Sequence, residues 1–351
     1  MRIAFLYGKG RPPGFIGKSF ELANYGGSEG SMIRYAFALA ELGHKVRIYV
    51  HGAEPHTYRG VEWRDLHSGE YLEETFDVVI AMRFPDLVLG TKAPIKAVFC
   101  HDTEVPDIPG FVKSGGLNLI IVVSEYQKDQ FQKYHPVDGQ LYLVSNSGIN
   151  WWKYNRINIP KVRGRCIYCS IPLRGLDALL RIWPLIRQKV PWATLHVAGS
   201  MELWGYNLPI ESSEWFLGSH DLPGVKFLGR LSQDKLIEEQ LQSQVMLLPG
   251  DPNSPETCCM AAMECAAARN ALIVTDTSVL SHRVIEGCTG HVVSREGAWH
   301  REFAKVTTQL MLDPGLSKMQ LQARGAEREH DYGVLVQQWE HRFKEMLYDL
   351  A

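Results

Sequence analysis

Two glutamates, Glu256 and Glu264, stand eight residues apart beside a proline-containing loop. The residues between them are mostly small or apolar and predict a helix that begins near Thr257. The amides at the start of a helix suit a phosphate group, and carboxylates accept hydrogen bonds from hydroxyl groups. The pattern favours a ligand that carries both. The alternative is structural: Glu256 favours the helix dipole, and Glu264 is a solvated or ion-paired acid.

The flanking segments predict how this loop is positioned. Val245–Pro249 and Ala271–Thr275 have the composition of strands, so the whole segment is predicted to be a parallel βαβ unit with Asn270 as a left-handed helix cap. The loop then lies at the carboxyl end of its strand, where ligands of open α/β sheets bind. Glu264 has alanine and methionine as its helical neighbours, where an unpaired carboxylate is costly, and this weighs against the structural alternative.

The Glu-x7-Glu pattern, together with Ser254–Cys258 and the strand that follows, resembles the signature of retaining glycosyltransferases of the GT-B fold, family 4. The resemblance implies an α/β protein in which two Rossmann-like parallel-sheet domains face each other across a cleft. It implies a nucleotide-diphosphate sugar as the donor. Glu256 is then expected on the sugar hydroxyls, Glu264 on the ribose hydroxyls, and the amides of the intervening helix start on the diphosphate. Those amides belong to Thr257, Cys258, Cys259 and Met260.

The N-terminal part predicts a second βαβ unit, with strands Ile3–Tyr7 and Lys45–Val50 around a helix from about Ser28 to Leu42. Gly26 and Gly27 precede that helix, and adjacent glycines let the backbone approach a ligand closely. A plain turn is the alternative. The Gly-Gly-Ser-Glu segment matches the opening pattern of the family, which implies a place for both glycines at the donor.

Three further positions take a role from the resemblance. His101 follows the strand Ile95–Phe99, at a place where family members often carry a histidine that touches the donor sugar, although such a residue is more often structural. Arg230 ends another predicted strand, Val225–Arg230, and Leu231 follows it, at a loop that the family places beside the nucleotide base. The insert 201–221 either lines a sugar or acceptor site or covers the sheet edge, and both alternatives stay open.

The basic residues for the diphosphate depart from the family pattern. The family uses an arginine and, five residues later, a Lys-Gly pair, but here Cys169 and Arg174-Gly175 take those places. Some relatives carry a Ser-x-x-x-Arg-Gly-Leu form, and this form matches Ser170 to Leu176. Because arginine can grip phosphate through two parallel hydrogen bonds, one guanidinium is expected to do the work of two point charges.

The predicted organisation has four parts. Residues 1–152 form an N-terminal, acceptor-side Rossmann-like domain, 153–165 a linker, 166–330 a C-terminal nucleotide-sugar-binding Rossmann-like domain, and 331–351 a C-terminal helix that crosses back to the first domain. The crossing helix would use the shared face of Trp339, Phe343 and Met346.

Composition limits the partners and the compartment. The chain has 351 residues, 45% of them hydrophobic, and a net charge of −2, so no global field favours nucleic acid. Seven cysteines without an export signal favour a reducing, cytoplasmic location. Trp151-Trp152 and the basic residues that follow are expected to be a solvated linker; a contact with the inner face of a membrane, or packing between the lobes, is the alternative.

Cys166 and Cys169 form a C-x-x-C that is expected to lack a redox or zinc role, because it lies in a predicted strand, where residues three apart face opposite sides. No metal or other cofactor is expected, since no Asp-x-Asp occurs in the sequence.

The resemblance implies a retaining, metal-independent glycosyltransferase, in which Glu256, Arg174 and His101 serve catalysis and the acceptor is a hydroxyl of a glycan or glycoconjugate. A nucleotide-sugar epimerase of the same architecture and a non-catalytic sugar-nucleotide-binding subunit are the alternatives. A dinucleotide oxidoreductase is disfavoured because no G-x-G-x-x-G opens a helix. The base, the sugar, the linkage and the oligomeric state are not fixed by the sequence.

Overall fold

The computed structural model describes residues 1–8, 17–18, 27–103, 105, 107–156, 158–200 and 222–350. The chain divides into two compact units: unit 1 is Met1–Gly148 with Tyr332–Ala351, and unit 2 is Ile149–Asp331. Gly26 and the insert 201–221 lie outside the described residues.

Unit 1 is built on an eight-stranded sheet within the described part of the chain. Its strands are β1 (Arg2–Tyr7), β2 (Lys45–Val50), β3 (His56–Tyr58), β4 (Val61–Asp65), β5 (Val78–Met82), β6 (Ile95–Phe99), β7 (Leu119–Val122) and β8 (Tyr142–Val144). The helices are α1 (Gly27–Glu41), α2 (Glu70–Glu73), α3 (Ile108–Lys113), α4 (Glu125–Tyr134) and, from the end of the chain, α10 (Tyr332–Asp349).

The strand order of unit 1 is β3-β4-β2-β1-β5-β6-β7-β8, and every neighbouring pair is parallel except β3 with β4. All residues of β5 and β7 are buried, as expected for parallel strands covered on both faces. The chain order reverses between β1 and β5. Such a switch point leaves a crevice at the carboxyl ends of the strands, where α/β proteins bind ligands.

The last helix belongs to unit 1. The Trp339 ring stacks on Tyr35 of α1 with centroids 4.2 Å apart, and its Nε1 donates to Ser145 Oγ at 2.8 Å. Phe343 is fully buried beside Trp339, and Met346 is half-buried. These contacts bury the apolar face of α10 in the core of unit 1.

Unit 2 is built on a six-stranded, fully parallel sheet in its described residues. Its strands are β9 (Arg165–Tyr168), β10 (Thr194–Val197), β11 (Val225–Phe227), β12 (Val245–Leu248), β13 (Ala271–Thr275) and β14 (Gly290–Val293). The helices are α5 (Leu176–Lys189), α6 (Gln233–Gln242), α7 (Met260–Ala267), α8 (Trp299–Leu312) and α9 (Leu316–Ala326). The order β11-β10-β9-β12-β13-β14 reverses between β9 and β12.

The α/β class with two parallel-sheet units is confirmed, but β3, β4, β14, α2, α3 and α9 were not predicted. Strands β3 and β4 are short and lie at the sheet edge, with a burial pattern that is only partly apolar, so their sequences carry a weak signal. The segment 153–165, predicted as a linker, lies within unit 2, where Tyr154 is buried.

The prediction that Asn270 is the left-handed cap of α7 is wrong. Arg269 has the positive φ of 64° instead. The Asn270 side chain is buried and donates to the carbonyl oxygens of Gln240 and Ser243, so its amide joins the end of α7 to the end of α6. None of the described helices combines the length and the apolar character that crossing a bilayer requires.

Candidate active site

The loops that follow β9 and β12 meet at the switch point of unit 2. Arg174, from the first loop, lies with its Nη1 2.7 Å from Oε1 of Glu256, from the second. The two side chains are 22% and 9% exposed, so the ion pair is largely withdrawn from solvent yet reachable. Two of the residues predicted from the sequence are therefore brought together in the crevice where this fold class binds ligands.

Gly175 fixes the close approach of these loops. Its φ is +88°, and a Cβ atom placed on it would lie 2.4 Å from the carbonyl oxygen of Gly250. Tyr168 Oη donates to the carbonyl of Ile171 at 2.6 Å, and this hydrogen bond stabilises the loop that carries Arg174. Glycine is required at 175 because any side chain would push the loop of Arg174 away from the loop of Glu256.

Residues after β13 and β14 hold the second loop in place. Arg295 Nη1 donates to the carbonyls of Pro249 and Gly250, at 3.1 and 2.6 Å. Arg283 Nε donates to the Cys258 carbonyl at 2.7 Å, and the backbone N–H of Glu256 donates to Ser278 Oγ at 3.0 Å. Sequence reasoning gave no role to these three side chains. Arg295 comes two residues after β14, and predicting that strand would have placed it at the same sheet edge.

Helix α7 begins at Met260, not near Thr257. Cys259 precedes it with a φ of +55°, and the side chains of Cys258 and Cys259 are buried, while Thr257 and Met260 are half-buried. Glu256 is thus in the loop and only Glu264, which is half-buried, is in the helix. In the sequence, Glu256 precedes the N-terminus of α7 and Glu264 follows it. The amides at that terminus carry partial positive charge.

Cys169 does not face this crevice. Its sulfur lies 3.3 Å from Cys265 Sγ in the interior of unit 2, whereas Cys166 Sγ contacts Met311 Sδ at 3.7 Å. The two cysteines of the C-x-x-C therefore have different neighbours. Nothing at position 169 replaces the cation of the family pattern.

The other predicted residues of unit 2 lie along the same sheet edge. Ser170 is buried, and its carbonyl oxygen would be 2.0 Å from a Cβ on Gly199. The backbone segments that follow β9 and β10 are therefore in close contact at Ser170. Arg230, which is exposed, and Leu231, which is half-buried, follow β11. Strand β11 is two strands from β9 in the sheet, so the loop that holds these two residues lies along the same edge and is displaced from the switch point.

A second polar cluster occupies the switch point of unit 1. Arg83 follows β5 with a φ of +65°, which is unusual for a residue other than glycine. Its Nη2 donates to Ser28 Oγ at 2.6 Å and its Nε lies 3.0 Å from an Asp102 carboxylate oxygen. Glu29 lies 4.0 Å from the same guanidinium and accepts from Tyr7 Oη at 3.0 Å. Sequence reasoning missed Arg83 because it ended the preceding strand two residues too early.

His101 and Gly27 border this cluster. Gly27 is the exposed first residue of α1. The His101 ring lies 4.2 Å from the ring of Phe99. Burial, and then the charge of Arg83, lower the pKa of His101 to about 3. The imidazole is consequently neutral near pH 7, where it can exchange hydrogen bonds but contributes no positive charge.

A sheet of parallel strands in each unit, with polar side chains gathered at each switch point, is the architecture of nucleotide-binding α/β proteins. The comparisons with known proteins narrow this class. Residues 164–313, which lie in unit 2, match the family model described as Glycosyl transferases group 1. The match covers less than half of the chain. No curated protein matches the chain.

Solved glycosyltransferase structures share the fold over nearly the whole chain. A glycosyltransferase from Rickettsia africae ESF-5 is 15% identical, with a TM-score of 0.74 and 99% of each chain covered. Sucrose-phosphate synthase from Thermosynechococcus elongatus is 12% identical, with a TM-score of 0.72 and 100% of each chain covered. Anabaena HepE, in complex with UDP and glucose, is 14% identical, with a TM-score of 0.68, 97% of this chain and 99% of its own covered. The chain therefore has the GT-B glycosyltransferase fold.

Proposed function

We propose that the protein is a retaining, metal-independent glycosyltransferase that moves a sugar from a UDP- or GDP-sugar to an acceptor hydroxyl of a glycan or glycoconjugate. The observation that carries the proposal is the Arg174–Glu256 ion pair at the switch point of a group 1 glycosyltransferase domain. This is the place where the fold class binds nucleotides. The UDP and glucose bound by the Anabaena relative support the same donor class.

Arg174 is assigned to the donor diphosphate. Breaking the bond between the sugar and the phosphate builds negative charge on the leaving group, and a guanidinium that is already in place stabilises that charge more than it stabilises the ground state. The amides at the start of α7 act in the same direction through the helix dipole. Arg283 and Arg295 position the loop through its carbonyl groups and add positive charge near it.

Glu256 is assigned to the sugar hydroxyls and Glu264 to the ribose hydroxyls. In the transfer, the bond from the anomeric carbon to the phosphate oxygen breaks and a bond to the acceptor oxygen forms on the same face. The leaving phosphate takes the proton that the acceptor hydroxyl loses, so no side chain has to serve as the base. Arg174 and the helix amides supply the charge stabilisation for which other glycosyltransferases use a metal.

Unit 1 is assigned the acceptor role. Gly26, Gly27 and His101 keep the donor-binding roles that the resemblance implies, and the Arg83 cluster offers an additional polar surface. All seven cysteines are free thiols, which supports a cytoplasmic location. Trp152 is 64% exposed, and its ring centroid lies 5.9 Å from Lys153 Nζ. We assign this residue to contact with the inner face of a membrane.

Turnover by a Glu256→Gln variant tests the proposal. The protein is incubated with UDP- and GDP-sugars and a panel of glycan acceptors, and released nucleoside diphosphate is measured. The variant is expected to lose roughly two to three orders of magnitude in turnover, because the amide has lost the charge that orients the sugar. Glu239→Gln is the matched control: Glu239 also sits in an ion pair, 2.6 Å from His196 Nδ1 and 3.5 Å from Arg165 Nη1, but away from the switch point.

Unchanged turnover in Glu256→Gln would remove Glu256 from the mechanism. The donor is also incubated without acceptor. A transferase gives slow hydrolysis at most, whereas formation of a different nucleotide sugar would identify an epimerase.

A further inference from the structure

Three side chains that can bind metal meet in unit 1, outside both switch-point clusters. His51 follows β2, Asp65 is the last residue of β4, and His67 lies in the short 3-10 helix Leu66–Ser68. One ligand atom of each residue lies within 4.8 Å of the other two. The proposed transfer reaction gives no role to any of them.

The tautomer of His51 is fixed by the backbone. Its Nε2 faces the carbonyl oxygen of Gly8, which can only accept, so Nε2 carries the proton and donates it. The neutral imidazole therefore presents the lone pair of Nδ1 on its other side, 3.1 Å from Nδ1 of His67. Metal-binding histidines characteristically donate the other ring N–H to a carbonyl or carboxylate in this way.

Two of the three distances between these groups are close to those around a shared ion, and the third, from His51 to Asp65, is at most 4.8 Å. Two imidazole nitrogens that bind one tetrahedral zinc at the usual length are about 3.3 Å apart. Here the two Nδ1 atoms are 3.1 Å apart, and His67 Nδ1 lies 3.6 Å from Asp65 Oδ1. The carboxylate is already oriented, because it accepts hydrogen bonds from the backbone N–H groups of Gly52 at 3.0 Å and His67 at 3.1 Å.

We propose that His51, Asp65 and His67 bind one divalent transition-metal ion, with Zn²⁺ as the first candidate and solvent at the fourth position. Two imidazoles and one carboxylate suit such ions. The side chain of His67 is 70% exposed, which gives the ion a path of entry. The bound ion joins the ends of β2 and β4, and through His51 it fixes Gly8, the residue after β1. Its role is structural and independent of the proposed transfer.

Metal titration of the untagged, chelator-dialysed protein tests this site. Co²⁺ is added and followed by its visible absorption, and Zn²⁺ is then added to displace it. One ion per chain is expected. His67→Ala and Asp65→Asn are each expected to lower the affinity roughly tenfold or more. Both variants should fold, since His67 is exposed and an asparagine keeps the carbonyl that accepts from the backbone.

His341→Ala is the matched control, because His341 is also mostly exposed, at 75%, and is paired with a carboxylate, Glu345. Its affinity for Co²⁺ should equal that of the wild type. The proposal is overturned if the wild type binds no ion, or if both site variants bind as tightly as the control. The contact between the two histidines is then only an N–H···N hydrogen bond.

Discussion

Arg174 and Glu256 place one positive and one negative charge at the crevice in unit 2. A largely buried ion pair is costly to break from one side, because the remaining charge is left without its partner. Each residue therefore keeps the other in position before any ligand arrives. A guanidinium has five N–H donors, enough to serve a carboxylate and a phosphate together. On this account, the donor joins the pair and does not replace it.

Gly175 carries the residue-scale prediction. Gly175→Ala is expected to destabilise unit 2 for two reasons, the positive φ of +88° and the contact of the new Cβ with the Gly250 carbonyl at 2.4 Å. Gly297→Ala isolates the first reason, since Gly297 has a φ of +56° and nothing within 4 Å of its Cβ position. We expect a loss of about 1 kcal/mol in the free energy of unfolding for Gly297→Ala. Gly175→Ala should lose a further ~1–3 kcal/mol.

Chemical denaturation of the two variants provides the measurement. Equal losses would mean that the two loops can separate without cost and that their close approach does not depend on glycine.

At the scale of elements, Lys161 joins two helices of unit 2 at their C-terminal ends. Its Nζ donates to the carbonyls of Gln240 and Ser243 at the end of α6 and, at 2.7 Å, to Ala268 after α7. These carbonyls carry partial negative charge and favour the ammonium form of Lys161. Burial opposes that charge more strongly, so the pKa of Lys161 is lowered. Helix α7 directly follows the loop of Glu256. Lys161 therefore stabilises the candidate site through the C-terminal end of that helix.

Lys161→Met is expected to destabilise the protein by about 1 kcal/mol near pH 7, because the Ala268 carbonyl loses its donor. Burial, and then the charge of Arg269, lower the pKa of Lys161 to about 7 from 10.5. Between pH 7 and pH 10.5, Lys161 is protonated in the unfolded state but not in the folded state. The free energy of unfolding of the wild type therefore increases as the pH rises through this range. The difference between wild type and variant should widen from pH 7 to pH 10, measured by denaturation at each pH. If the stability difference between the wild type and Lys161→Met narrows from pH 7 to pH 10, Lys161 does not have a lowered pKa in the folded protein.

The sequence allowed the main elements to be predicted where apolar runs are long and bounded by turn residues, as for β12 and β13. Prediction failed where the conformation of a residue depends on contacts with residues far away in the sequence. Asn270 looked like a left-handed cap because asparagine tolerates that conformation, but its amide is used in the interior and Arg269 takes the strained backbone instead. The position of Glu256 was predictable from its loop, whereas its pairing with Arg174 depends on the order of strands in the sheet.

Arg83 and Arg295 show the same limit. Each is a single basic residue just beyond a strand, and no local pattern separates it from a solvated arginine. Only the sheet order brings Arg83 beside Ser28 and Arg295 beside the loop after β12.

At the scale of the molecule, the two ends of the chain share unit 1. Helix α10 comes after all of unit 2, yet Trp339 is fully buried among Phe5, Tyr35 and Phe99. Helix α10 is therefore part of the core of unit 1. Unit 2, which contains the residues that match the group 1 family model, has its own sheet and core.

Trp339→Ala is expected to reduce the stability of unit 1 by roughly 3–5 kcal/mol, because it leaves a cavity between α10 and the sheet. Hydrogen exchange measured by mass spectrometry can follow the units separately. Peptides of unit 1 should lose protection while those of unit 2 keep it. Trp192→Ala is the control, since Trp192 is 45% exposed and lies in unit 2. Uniform loss of protection in both units would contradict the division.

The central claim is that the switch point of unit 2 holds the donor diphosphate through Arg174. Calorimetric titration of UDP and GDP into the wild type, Arg174→Gln and Arg165→Gln tests it most directly. Arg165 is the matched control, because it also pairs with a glutamate but starts β9 at the opposite edge of the sheet. One of the two nucleotides should bind to the wild type and to Arg165→Gln alike, and Arg174→Gln should bind it at least about tenfold more weakly, as expected for a lost charged hydrogen bond. Equal affinity in all three proteins, or no binding of either nucleotide to the wild type, would contradict the account.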